Sequence, residues 1–282
     1  MAFPNPFARD TEGQQRNISA YKVLTILSWL LQFVYTIYVS ISYNHRGWFG
    51  HNHGHPAATP FTLNGIFVEI FWIVLYIMQI VYIWHLFSNR EHFVNPAASV
   101  GSHFILYNFL QFLWVFCWTH GGLYLFALII LIINFFNLLS LYLRHATSPR
   151  LIHLATTVMP LTFNFFMIYW NGAVVVHAYG HLVARILANI AIWGVLVYAL
   201  FFLVAFKDYY VGFTTSYLAF ALAVGQLGTK AIALQWPFAF TIAGLTFIAS
   251  ALAAFPGIFG ENTGLEGSGR RGERAPLLQE DA

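Results

Sequence analysis

From residue 21 onward the chain reads as long apolar runs separated by short polar breaks, with none of the period-two alternation that a lipid-facing strand requires. Eight runs approach or exceed the length of about 20 residues that carries a helix across a hydrocarbon core. They cover 21–43, 63–87, 103–119, 123–143, 152–171, 182–206, 211–229 and 236–255. The third and seventh are short, and the fifth stays apolar as far as His177. In lipid each backbone N–H and C=O must find its partner within its own segment, so each run is expected to be a helix. The expected fold is all-α, a polytopic transmembrane helix bundle of about eight spans over 21–255. Polar tails occupy 1–20 and 256–282, and the second, Gly-rich and charged, is expected to be disordered. Pro160 and Pro237 fall in or beside the runs and are expected to kink them.

The charges between the runs orient the bundle. Arg9, Arg16, Lys22, Arg90, Arg144, Arg150, Lys207, Arg270, Arg271 and Arg274 fall on one side, and Arg46, Arg185 and Lys230 on the other. Ten against three puts both termini in the cytosol by the positive-inside bias, and the agreement supports an even number of spans. Met1 to Arg16 is polar and the first run is long enough to span, so that run is expected to act as an uncleaved signal-anchor. The sequon Asn17-Ile18-Ser19 then lies on the cytosolic side, where it is not glycosylated.

Composition narrows the function classes. The chain has 282 residues, 59% hydrophobic and 8% charged, with a mean hydropathy of +0.66. Average soluble domains carry about 25% charge, so a soluble enzyme is excluded and the lipid bilayer is the first partner. A formal net charge of +3, scattered along the chain, offers nothing to nucleic acid. Cys117, the single cysteine, rules out an intrachain disulfide and a cysteine zinc site.

Candidate chemistry falls in four places. Glu69 is the one acid well inside a run, about two turns from the lumenal end of the second. Arg185 lies about one turn into the sixth from the same side, preceded by His177 and His181. If those histidines are helical, their i, i+4 spacing puts both rings on one face. Glu69 with His177, His181 or Arg185 would line a lumen-facing cavity and could couple proton movement to transport; equally, the group could be a structural ion pair that fixes helix packing. Gln111, Asn134, Asn137 and Asn164 lie nearer mid-depth, where amides hydrogen-bond across helices or contact substrate. His103, Tyr107 and Gln111 share one face, and His85, His92, His145 and His153 sit at cytosolic ends as ordinary interfacial histidines.

In the loop after the first run, His51, His53 and His55 could present imidazole nitrogens to zinc or copper, or could bind nothing in a polar loop. In the C-tail, Glu273 stands four positions before Leu277-Leu278, the pattern of an acidic dileucine signal. An extended segment of this kind offers its carboxylate to a basic patch and its leucines to an apolar pocket on a coat adaptor, as in signals that direct membrane proteins to vacuoles. The alternative is a chance Leu-Leu pair. No nucleophile elbow, Walker loop, His-Glu-x-x-His or His-His pair occurs, so no motif supports an enzyme or indicates a cofactor.

Several stretches carry a resemblance. Thr59-Pro60-Phe61-Thr62-Leu63-Asn64, Trp84-His85-Leu86-Phe87, Gly101-Ser102-His103-Phe104, Asn134-Phe135-Phe136-Asn137-Leu138 and Trp170-Asn171-Gly172-Ala173 resemble a fungal multi-pass membrane family of unknown function. The likeness runs from about 40 to 250 and implies a fold and a source, with no site residue. Phe71-Trp72-Ile73-Val74-Leu75-Tyr76-Ile77-Met78 is similar to the second helix of the translocator protein, or tryptophan-rich sensory protein, family. That likeness implies a Trp-rich five-helix bundle binding porphyrins and sterols, but the doubled proline expected before the helix is reduced to Pro60. The expected function is binding or transport of a small solute or lipophilic ligand at a vacuolar or other endomembrane. A non-catalytic membrane scaffold and a metal-dependent membrane enzyme are the alternatives.

Overall fold

Each apolar run forms the helix that lipid demands of it. The computed structural model describes residues 18–44, 59–88, 91–120, 122–144, 149–178, 182–229 and 234–255. In chain order the helices are α1 (Ile18–Asn44), α2 (Gly65–Leu86), α3 (Glu91–Ser99), α4 (Gly101–Thr119), α5 (Tyr124–Arg144), α6 (Arg150–His153), α7 (Met159–Val175), α8 (Leu182–Ala191), α9 (Trp193–Phe206), α10 (Tyr209–Thr229) and α11 (Gln235–Ala254). A π-helical turn, Leu154–Val158, joins α6 to α7 into one rod. The short α3 was not expected from the pattern. Among the described residues no strand occurs.

Among the described residues, seven spans are long and apolar enough to cross a membrane: α1, α2, α5, α6 through α7, α8 with α9, α10 and α11. The eighth rod, α4, is richer in polar groups, with His103, Asn108 and Gln111 all buried. It nevertheless runs antiparallel to α5 along its length. His103 near its start meets Asn137 late in α5 at 2.8 Å, and Trp118 at its end meets Tyr124 at the start of α5 with ring centroids 5.1 Å apart. A helix packed between α1 and α5 faces protein more than lipid, so it can carry polar side chains that a peripheral helix cannot. The protein is an all-α polytopic membrane bundle. Its described residues form eight rods, against the five that a translocator-type bundle would have.

Contacts sort the rods by direction. Lys22 Nζ stands 5.3 Å from the Phe87 ring centroid, Tyr142 and His153 both reach Asp208, and Ser250 lies against Gly212. The first turns of α1 and the last turns of α11 therefore share one end of the bundle, called here the tail end. The opposite, far end carries the start of α2 and the end of α4. There the segment 59–64 is strapped onto α10: Gln226 Nε2 donates to the carbonyls of Thr59 and Thr62 at 2.9 and 3.0 Å, and the Asn64 amide donates to Ala221 at 3.0 Å.

The rod of α6 and α7 is the central pillar, 78% buried over its span against 28–39% for α1, α2, α5, α8 with α9, and α11. The peripheral helices turn large apolar side chains outward, Ile66, Val197 and Val204 among them, and lipid solvates these at no cost. The pillar absorbs Pro160 through its π turn, because an extra residue there relieves the missing N–H and the ring clash. Pro237 produces no such adjustment: it lies in the first turn of α11, where its N–H has no helical partner to lose. The sixth apolar run is broken at Ile192 rather than continuous. Just beyond it, Gly194 packs against the Tyr169 hydroxyl so closely that a Cβ would collide with it.

Candidate functional site

A cavity of about 230 Å³ opens between α1 and α2. Its origin is the packing of α1, which leans on α4 along its length and touches α2 sparsely. Helix α1 contributes Thr36, Ile37 and Ser40; α2 contributes Val68, Glu69, Trp72, Ile73 and Tyr76; Trp114 of α4 and Phe163 of α7 complete it. The floor is sealed, with Val68, Trp114 and Phe163 at 0–2% exposure. Ile37 and Ile73 at the rim are 40% and 58% exposed. The opening therefore faces sideways, toward lipid, as a cleft. At 1.5 Å rise per residue, Glu69 lies about 6 Å and Tyr76 about 16 Å from the far-end start of α2, so the cleft runs from interface depth toward mid-membrane.

Polar contacts continue beyond the cleft between the same two helices. Gln32 Nε2 donates to the Tyr76 hydroxyl at 2.9 Å and to Thr36 Oγ1 at 3.2 Å. One turn further toward the tail end, Trp29 Nε1 donates to Gln79 Oε1 at 2.9 Å. Thr25, Gln32 and Thr36 are buried and, with Ser40, mark one face of α1 at intervals of seven and four residues. That stripe is legible in the spacing, but none of its members is ionisable, so it does not stand out within an apolar run. Several interior groups remain without partners: Trp114 Nε1, Gln32 Oε1 and both side-chain polar atoms of Asn108.

No basic side chain is among the described lining residues of the cleft, and Glu69 and Arg185 form no ion pair with each other. Arg185 lies exposed on α8, whose packing partners are α9 and α11. His177 is not helical. The α7 helix ends at Val175, and His177 adopts a left-handed φ of 51° in the turn that closes it, with the Ala178 amide donating to the Ala173 carbonyl at 2.9 Å. The expected shared face with His181 therefore fails on the His177 side; His181 lies outside the described residues.

The amides divide. Asn137 Nδ2 donates to the His103 carbonyl at 3.1 Å and its Oδ1 accepts from His103 Nδ1; Asn164 Nδ2 donates to the Leu131 carbonyl at 2.8 Å. These two tie α4 to α5 and α7 to α5. The cross-helix bonds expected of all four are not made by Asn134, both of whose polar atoms are buried and unpartnered, and Gln111 Nε2 is likewise unpartnered. His51, His53, His55, Glu273, Leu277 and Leu278 lie outside the described residues. Among the described residues, no three His, Cys, Asp or Glu side chains converge as a metal site would require.

A second cluster forms at the tail end, where His153 is buried rather than interfacial. Asp208, between α9 and α10, accepts from His153 Nε2 at 2.8 Å and from the Tyr142 hydroxyl at 2.9 Å through one oxygen. Its other oxygen accepts from the Tyr210 and Val211 amides at 3.0 and 3.3 Å, capping α10. Burial raises the Asp208 carboxyl, but the hydrogen bond and charge of His153, then the Tyr142 and Val211 hydrogen bonds, outweigh it and hold it below its ordinary value. Asp208 does not stand out in the sequence because it lies in a break between runs, where a charge is expected in solvent.

Residues 185–278 match a family model described as a fungal protein of unknown function (DUF1774). Over 236 residues the chain is 27% identical to an uncharacterized protein of Schizosaccharomyces pombe, covering 79% of this chain and 82% of that one. Both findings agree with the fungal resemblance carried by the sequence motifs. No solved structure matches the chain.

Proposed function

We propose that this membrane protein binds, and passes between lipid and the far-end surface, a small lipophilic ligand that enters sideways between α1 and α2. The single observation carrying the reading is the cleft itself: a cavity of about 230 Å³ with a sealed floor, a lipid-facing mouth and a carboxyl group at interface depth. Lipid chains alone need no polar lining, so the carboxyl of Glu69 and the hydroxyls of Thr36 and Ser40 on the wall favour a ligand with a polar head over lipid filling a scaffold's groove. The volume is below the roughly 300–1,000 Å³ of drug-sized sites, so it suits a small molecule or the head of a longer one whose chain stays in lipid.

The Lys/Arg bias supports a cytosolic tail end and a lumenal or external cleft. With Glu273, Leu277 and Leu278 then cytosolic, a coat adaptor could read them and deliver the protein to a vacuolar or related endomembrane. Ser40→Phe would fill the cleft from α1. Small molecules that copurify with the wild-type protein, identified by mass spectrometry, should be depleted at least ten-fold from this variant at equal yield of folded protein. Identical profiles from the two would overturn the reading.

A further inference from the structure

We infer that the cleft selects an organic ammonium group, carried by an amphiphile with an aliphatic chain. This rests on the reading of the cleft as a ligand site and adds the chemical class. Glu69 brings a carboxyl to the cleft, yet no described lining residue supplies a positive charge. Glu69 is exposed at the mouth of the cleft, at interface depth, where a ligand's positive charge or water can meet it. Around the same space stand four aromatic rings: Trp72, Tyr76, Trp114 and Phe163. A carboxylate beside several aromatic faces suits an alkylammonium, which is attracted by both and sheds its water more readily than a metal ion does. An anionic head finds no basic partner among the described lining residues and meets repulsion from Glu69.

The remaining polar groups fit the same class. The hydroxyls of Thr36 and Ser40 line the wall. Trp114, 1% exposed, keeps an unpartnered indole N–H that an adjacent hydroxyl or carbonyl of the ligand could accept from. The sideways mouth past Ile37 and Ile73 lets an aliphatic tail remain in lipid while the head sits near Glu69.

The ammonium could belong to a free amine or to a phospholipid headgroup, and three probes separate these. The full chain in maltoside detergent is titrated with brominated decyltrimethylammonium, brominated decanol and a lysophosphatidylcholine brominated in its chain. Bromine quenches indole emission on contact, and the part of the quenching that Ser40→Phe removes reports occupancy beside Trp72 and Trp114 apart from the other seven tryptophans. The cation should bind at least ten-fold more tightly than the alcohol. Glu69→Gln should erase that preference without altering alcohol binding, and Glu69→Asp should retain most of it. Lysophosphatidylcholine binding as tightly as the cation, with the same dependence on Glu69, would support the ammonium assignment with a headgroup as its source; weak binding supports a free amine. Equal binding of cation and alcohol, both abolished by Ser40→Phe, would overturn the ammonium class and leave the ligand cleft standing. Saturable binding by none of the probes, or binding that Ser40→Phe leaves unchanged, would overturn both.

Discussion

Asp208 joins three elements through one side chain: α5 through Tyr142, the central pillar through His153, and the first turn of α10 through its cap. Removing one member of a buried, hydrogen-bonded charged pair costs about 3–5 kcal/mol, because the partners are left unsatisfied. Asp208→Ala should therefore lower the thermal unfolding midpoint in detergent sharply. Asp208→Asn, which can still cap α10 and accept one bond, should lose roughly half as much. The pH dependence follows from the lowered carboxyl. Its stabilising contribution is complete above the ordinary carboxyl value of about 3.9 and disappears as pH falls through the lower folded value. Acid titration of unfolding should show this loss in wild type and lack it in Asp208→Asn; matching curves would remove Asp208 from the account. Glu69 was legible in the sequence because a charge within an apolar run stands out. Asp208 was not, because its burial is produced by helices distant in sequence.

At the scale of elements, the far-end strap depends on a missing side chain. A Cβ at Gly225 would lie 2.6–2.8 Å from backbone atoms of Thr62, Leu63 and Asn64, which cannot rotate away as a side chain can. Gly225→Ala should cost about 1–3 kcal/mol by forcing the strap off α10. Gly228, one turn along the same helix, has nothing within 4 Å of such a Cβ, so Gly228→Ala should be neutral or gain up to about 1 kcal/mol. Parallel midpoints for the two variants would show that the strap is not held at Gly225. Helix limits were legible to within a few residues wherever an apolar run met a polar break, as for α2 and α11. The break at Ile192 and the π turn before Pro160 were not, since hydropathy continues unchanged through both.

For the whole molecule, the first turns of α1 and the last turns of α11 lie at one end, as an even number of crossings would place them. Tags at Met1 and Ala282 should therefore be protected or cleaved together in sealed membranes, and both should be reachable from the cytosol. Opposite accessibility would remove both proposals at once, that the cleft is lumenal and that an adaptor reads the tail. Hydropathy along the chain determined the all-α membrane architecture and the approximate spans by itself, because lipid leaves each segment to satisfy its own backbone. It could not decide which helices touch. Once apolar side chains are surrounded by apolar lipid, the choice of neighbour passes to shape, to small residues and to scattered hydrogen bonds. Only that packing parted α1 from α2 around Glu69, left Arg185 exposed on α8, and buried Asp208 with His153.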